Sequence, residues 1–409
     1  MKMPTVPATT FTATPTLSAA QETQTAIAQI TQTAIALQTA GPSAQATATA
    51  AAQQTQTAIT KFTQTVTPGI AQTVTITGTN TAAYTYTQSP TQTLIVTGTA
   101  TVTPTSTQIV YTAGEYYSGN HYTPCYWMGT TRTDLPAPGL GGEATSIAVS
   151  GGIVYTAGYY YGTNHVPCYW TGTTETDLPD NGNGGDAFSI AVSGGTIYIA
   201  GDYLNADNDV PCYWTGNVMT ALPYGANSGQ ANSIAVSGGT VYTAGYYLNG
   251  SYDAACYWTG TTGTDLPGNT NGAWAQSIAV SGGIVYTAGY YDNGSYMVPC
   301  YWTGTTRTDL PGNTNGAYAM SITISGGTVY TAGFYYNGSS SISCYWTGTV
   351  RTDLPVSVSG GEARTIAVSG GTVYTGGWDG YGPCYWTGIT QTELPQDSFG
   401  GNVYGITVQ

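Results

Sequence analysis

The sequence predicts an all-β fold: a seven-bladed β-propeller closed by the C-terminal strand and preceded by a Thr/Ala/Gln-rich arm. Three observations predict it. Cys-Tyr-Trp begins at Cys125, Cys168, Cys212, Cys256, Cys300, Cys344 and Cys384, with gaps of 43, 44, 44, 44, 44 and 40 residues. Two further modules keep that period, Val-Tyr-Thr-Ala-Gly (its tyrosine first at Tyr111, last at Tyr374) and Ser-Ile-Ala-Val-Ser-Gly-Gly (from Ser146 to Thr365). A repeat of this length is the size of a four-stranded blade. The composition agrees, since 56 glycines and 35 tyrosines with only 6% charged residues favour strands and turns over helices.

Each unit reads as four short strands. In the second unit they are 146–150, 153–159, 167–171 and 174–178, separated by Gly-Gly, a Tyr/Asn/Gly loop and Thr-Gly-Thr. The phase of the array is informative. The first unit opens near Gln108 at a second strand, and the chain ends with a lone first strand at 404–408. Joining the two ends completes one blade and removes the exposed edges of an open sheet. The recurring tryptophans, Trp127 to Trp386, are expected to pack between blades. One cysteine per blade, a blade apart from the next, is expected to remain a buried free thiol, because a disulfide needs Cα atoms within about 7 Å.

These modules resemble the repeats of bacterial secreted and surface propeller proteins of no assigned activity, over about residues 108–409. They lack the Gly-His and Trp-Asp marks of Trp-Asp-repeat propellers. The resemblance implies an extracytoplasmic bacterial protein.

Residues 1–107 have another chemistry, with Thr, Ala and Gln dominant and neither Cys nor Trp. The tract resembles the Thr-rich, often O-glycosylated stalks of bacterial surface proteins. Ser18 to Gln21 forms a capping box, an apolar stripe follows through Ile27, Ile30 and Leu37, and Gly41-Pro42 supplies a stop, so a helix is expected over 18–40. A second helical segment is expected over 43–64. Alternation of Val74 and Ile76, Tyr84 and Tyr86, and Leu94 and Val96 with Thr predicts strands within 72–103. The apolar residues Ile27, Ile30, Leu37, Val74, Ile76, Leu94 and Val96 are the expected assembly contacts.

Charge limits the partners. The net charge is −14, and the arm holds only Lys2, Glu22 and Lys61, so the propeller sets 19 of the 20 acids against Arg132, Arg307, Arg351 and Arg364. Such a surface repels phosphate backbones, which argues against nucleic acid. No stretch has the length and apolarity of a transmembrane helix. The first 17 residues lack the apolar core of a signal peptide, so secretion requires a leader upstream or a non-standard route.

Residues suited to chemistry are few. His121 and His165 precede Cys-Tyr-Trp in adjacent units, with no acid placed by spacing to complete a site. Asn205 to Asp209 offers alternating oxygens but lacks the glycine and glutamate of an EF-hand loop. Asp134, Asp177, Asp265, Asp309 and Asp353 sit in Thr-Asp-Leu-Pro, with Glu393 in Thr-Glu-Leu-Pro, and read as turn residues. Asn249, Asn293 and Asn337 begin Asn-Gly-Ser sequons, which read as glycosylation acceptors or as turns. Tyrosine clusters such as Tyr159-Tyr160-Tyr161 lead into the loops and resemble surfaces that suit sugars or protein partners.

No catalytic, cofactor or metal residues are assigned from these patterns. The expectation is an extracellular, non-enzymatic structural protein, a subunit of a head-to-tail homopolymer whose arm binds the next propeller. The alternative is a multivalent, lectin-like glycan-binding or adhesive propeller.

Overall fold

The computed structural model describes residues 108–409, apart from 207, 225–227, 269–270 and 398–399, together with three strands in the arm. The chain divides into two units, residues 1–106 and 107–409. In the first, Thr93–Thr97 pairs antiparallel with Thr85–Gln88 on one side and Gln64–Thr65 on the other. Leu94 and Val96 thus lie on a strand, in register with Gln64 and Tyr86. Gln64, expected to end the second helical segment, is a strand residue. The expected helix 18–40, with Ile27, Ile30 and Leu37, lies outside the described residues, as do Val74 and Ile76.

The second unit is a seven-bladed β-propeller. Seven four-stranded antiparallel sheets are formed, each running first to fourth strand in chain order except one. That exception, blade 1, takes Val110–Tyr117, Tyr122–Met128 and Thr131–Asp134 from the start of the array and Gly401–Val408 from the end of the chain. Mutual hydrogen bonds between the backbones of Ile109 and Gln409 extend the join to the last residue. Blades 2 to 7 begin at Gly142, Gly185, Gly229, Ala273, Ala317 and Glu362. The first strands touch one another in sequence, and Gly401–Val408 touches both Glu362–Ser369 and Gly142–Ser150, so the ring is closed around an axis lined by first strands.

The repeated residues are the contacts between blades. The seven tryptophans of the Cys-Tyr-Trp modules are at most 1% exposed. Each indole donates its N–H to the proline carbonyl of the preceding blade's Leu-Pro, as Trp170 does to Pro136 at 2.8 Å and Trp127 does across the seam to Pro395 at 3.2 Å. Each burial stabilises by roughly 2–3 kcal/mol. The serine of Ser-Ile-Ala-Val-Ser accepts the isoleucine N–H of the next blade, for example Ser146 from Ile190 at 3.2 Å. The cysteines are free and buried among these contacts, as expected, and burial raises their thiol pKa values.

Two details differ from the sequence reading. First strands start earlier than expected, at Gly142 rather than 146 in blade 2, because a β-bulge skips Thr145 and restores pairing on its far side. Opposite each bulge sits the glycine of Ala-Gly. A Cβ on Gly158 would collide with the backbone carbonyl of Glu143, so close packing there demands glycine. The acids of Thr-Asp-Leu-Pro, expected to serve turns, instead accept hydrogen bonds from tyrosines two strands away. Tyr291 donates to Asp309 at 3.1 Å, while Arg307 pairs with Asp309 and lies 3.8 Å over the Tyr291 ring.

Candidate functional site

Antiparallel blades give the ring two unlike ends. One end is built of the Gly-Gly and Gly-Thr turns, which barely vary from blade to blade. In the Gly-Gly turn both residues take positive φ, 58° and 78° at Gly151 and Gly152, which is the hairpin geometry that glycine permits. The other end gathers the loops between second and third strands and those between blades. These loops vary from blade to blade, and so do the strand residues nearest that end.

In every blade two of these residues face each other across the first and second strands, just loopward of the bulge. The pairs are Asn402 with Glu115, Glu143 with Tyr159, Asp186 with Asp202, Gln230 with Tyr246, Trp274 with Tyr290, Tyr318 with Phe334, and Glu362 with Trp378. Directly paired residues present their side chains on the same sheet face. The result is a ring of seven unlike pairs around the axis.

Blades 1 to 3 form an acidic arc. Asn402 Nδ2 and the Tyr404 hydroxyl each donate to Glu115 Oε1 at 3.0 Å. The Tyr161 hydroxyl donates to Glu143 Oε1 at 2.8 Å. His165 Nδ1 lies 2.8 Å from Asp186 Oδ1, and its ring stacks on Tyr159 at 4.8 Å and 7°. The Asp186 N–H donates to Asp202 Oδ1 at 3.2 Å. Glu115 and Asp202 are each only 2% exposed; Glu115 Oε2 has no hydrogen-bond partner, whereas the Asp202 carboxylate has Gln230 beside it as well as the Asp186 N–H. Burial, reinforced by Glu143, pushes the Glu115 carboxyl up to about 8 against the pull of Asn402, Tyr404 and Arg364. Burial, then Asp186 and Asp209, holds the Asp202 carboxyl well above the ordinary range.

Blades 5 and 6 form an aromatic arc. Trp274 stacks on Tyr290 at 5.3 Å, Tyr290 meets Tyr318 edge-on at 4.7 Å, and Tyr318 stacks on Phe334 at 4.9 Å. The Trp274 indole N–H donates to Asp253 of blade 4 at 2.9 Å. Between the arcs, Tyr246 donates to Gln230 at 2.7 Å in blade 4. In blade 7 Arg364 pairs with Glu362 at 2.7 Å and faces the Tyr404 ring at 5.4 Å.

The sequence singled out His165 without a partner, and the fold supplies Asp186 from the next blade. His121 is an exposed residue of its own hairpin loop. Asn293 and Asn337 each accept two backbone N–H groups through Oδ1 within their loops. Asn249 is exposed at the end of the strand Thr240–Asn249. Of the run from Asn205 to Asp209, Asn205 pairs with Asn208 and Leu204 with Asp209 on the second and third strands, and Ala206 takes φ 57°. Among the described residues no group of three or more His, Cys, Asp or Glu is arranged to hold a metal ion. An open cleft of about 590 Å³ lies in blade 7, lined by Val356, Asp379, Tyr381 and Gln391 among others. Its Asp379 is held by the N–H groups of Tyr381 and Gly382 and by Gln391, which leaves it a structural acid of a shortened hairpin.

The ring of pairs escaped the sequence reading, although the signal was there. Aligned on Ala-Gly and Ser-Ile-Ala-Val-Ser, the units differ at the same strand positions, not in the loops alone. No family model matches the chain, and no curated protein is significantly similar to it.

Proposed function

We propose that this is a binding protein, not an enzyme, and that its ligand is a glycan held at the loop end of the ring. One observation carries the reading: besides the loops, one set of strand residues breaks the sevenfold repeat, and it is gathered at one end, around the axis. Strand positions fixed by pairing and by tight neighbours hold their side chains more rigidly than loops do, which suits a site that must keep its shape. The stacked rings of blades 5 and 6 offer the flat apolar surface that a sugar face needs, and the acids and amides opposite offer acceptors for hydroxyls. Most of these polar groups are engaged with neighbours, an arrangement suited to recognition more than to proton transfer.

A screen of immobilised glycans against the protein tests this, with Trp274→Ala and Tyr318→Ala in parallel. The reading requires glycan hits that weaken at least tenfold in both variants while thermal stability stays close to that of the parent. Hits unaffected by either substitution would move the ligand elsewhere.

Assembly through the arm is a second proposal, favoured by one observation. The arm forms a three-stranded sheet from 64–65, 85–88 and 93–97, so it has the strand-forming capacity that donation to a neighbour requires. Under this reading the protein is an extracellular surface subunit. Electron microscopy of the full chain beside one beginning at Gln108 tests it, and filaments from both would remove the arm from the joint.

A further inference from the structure

The cleft in blade 7 lies where the other six blades are filled. Aligned on Ala-Gly and Cys-Tyr-Trp, the second strands carry a tyrosine at one place, Tyr116, Tyr160, Tyr203, Tyr247, Tyr291 and Tyr335, and blade 7 has Asp379 there. In blades 1, 4, 5 and 6 the phenol donates to the fourth-strand acid of its own blade at 3.0–3.1 Å. In blades 1, 5 and 6 an arginine two residues before that acid pairs with it at 2.8–2.9 Å and lies 3.7–4.0 Å over the tyrosine ring. Blade 7 has Gln391 at the arginine's place and Glu393 at the acid's. It therefore lacks the ring and the cation and keeps the acid, and the cleft of about 590 Å³ opens in their place, lined by Asp379, Gln391 and Glu393.

The walls decide what fits. Gln391 Nε2 donates to Asp379 Oδ2 at 2.6 Å, and the N–H groups of Tyr381 and Gly382 hold Oδ1, so Asp379 gives the cleft a buried negative wall rather than an open bonding position. The negative face of an aromatic ring sits poorly against a carboxylate, which disfavours a phenol in the vacated place. Glu393 is exposed, and among the described residues no hydrogen bond or ion pair engages its side chain. In blades 5 and 6 the guanidinium also donates to the carbonyl that follows Leu-Pro, Arg307 to Gly268 at 3.1 Å and Arg351 to Gly312 at 3.4 Å. Val356 occupies that place in blade 7 and lines the cleft. Tyr381, 48% exposed, lines it too and brings a ring. A planar cation thus finds here the kinds of partner, carboxylate, carbonyl and ring, that Arg307 and Arg351 use in their own blades.

We infer that the blade 7 cleft binds an arginine side chain of a partner polypeptide. The cleft is open at the surface, so a long side chain enters it while its backbone stays outside. Val358, 91% exposed on the loop that forms one wall, gives the residues flanking that arginine an apolar contact. The partner is not a second propeller of this chain, because its four arginines are each paired with an acid of their own molecule. Lysine has the charge but not the plane, and so makes neither the stacked nor the two-pronged contact. The inference is independent of the glycan reading, whose residues lie around the axis on first and second strands.

The experiment is methyl NMR of the full chain labelled at valine, titrated with a terminally blocked Ala-Val-Arg-Val-Ala peptide. Peptides with lysine or citrulline in place of the arginine, and methylguanidine alone, are titrated beside it. The expected result is that the arginine peptide shifts the Val356 and Val358 methyls and leaves the valines of the other blades in place. The lysine peptide should bind at least fivefold more weakly, and the citrulline peptide, alike in shape but uncharged, should not bind. Glu393→Gln should weaken the arginine peptide about fivefold, the scale of a partly exposed ion pair. Gln391→Arg should abolish the shifts, because it fills the cleft with the chain's own guanidinium, paired to Glu393 as Arg307 is to Asp309. Both substitutions are on the short outer strand, and an unchanged melting temperature shows that each variant folds. Equal shifts from the citrulline peptide, shifts spread over the other blades, undiminished shifts in Gln391→Arg, or no shift with the arginine peptide would each overturn the inference. Methylguanidine binding as tightly as the peptide would overturn the assignment to a polypeptide. Each of these outcomes leaves the glycan reading as it stands, since that reading is tested at Trp274 and Tyr318.

Discussion

Glu115 shows how one side chain couples the candidate site to stability. Its carboxyl is raised from the ordinary 4.5 to about 8, chiefly by burial and then by Glu143. The folded state therefore holds a proton that the unfolded chain releases above about 4.5. That contribution to stability is full below the unfolded value and is lost as pH rises through about 8. A shift of this size corresponds to about 5 kcal/mol as an upper bound. The melting temperature should accordingly fall between pH 5 and pH 8.5, and Glu115→Gln should flatten that fall. Thermal unfolding of both proteins across the range checks it, and parallel curves would show that Glu115 titrates normally. The sequence offered Glu115 as one more acid in a Tyr-rich strand. Its burial follows from Asn402 and Tyr404, which arrive from almost 290 residues away.

At the scale of the element, the bulge and its glycine fix where side chains point. Passing Thr145 shifts the register of the first strand by one residue, so Glu143 and Ile147 both meet partners on the second strand although the alternation between them is broken. Gly158 is the residue that lets the strands close there. Gly158→Ala would drive a methyl into the Glu143 carbonyl, and overpacking of this kind costs roughly 1–3 kcal/mol. Chemical denaturation should report a loss in that range, with disturbed fluorescence from the Tyr159 and Tyr161 cluster beside it. An unchanged midpoint would mean that the strands part easily. Strand identity was legible here from Val-Tyr-Thr-Ala-Gly alone. The bulge was not, because nothing in the alternation of Glu143 to Ile147 marks which residue the pairing skips.

At the scale of the whole molecule, the seam holds the ring. Gly401–Val408 pairs with Val110–Tyr117, buries Val403 against the Trp127 cluster and touches the first strands on either side. A chain ending at Gly400 would leave blade 1 without its first strand and expose the edge of Val110–Tyr117. It should aggregate or lose its cooperative thermal transition, because an unpaired edge beside opened apolar faces invites association. A chain permuted by joining Gln409 to Ile109 through Gly-Gly, the turn that the other blades use there, and opened between two other blades should instead melt close to the parent temperature. Recovery of a monomeric, cooperatively folding protein from the truncation would show that the seam strand is dispensable.

The period of the repeat and the phase of its two ends determined, by themselves, the blade count, the closure and the buried tryptophans. They could do so because each blade meets its neighbours through the same residues, so one rule written seven times describes the whole ring. The partners of the side chains that differ lay beyond them. Glu115 meets Glu143, His165 meets Asp186, and Tyr290 meets Tyr318 only because closure curves the sheets around one axis and draws neighbouring first strands together. Spacing along a chain carries the residues that repeat. What the unlike residues do together depends on that curvature, and only the tertiary structure sets an acidic arc on one side of the axis and an aromatic arc on the other.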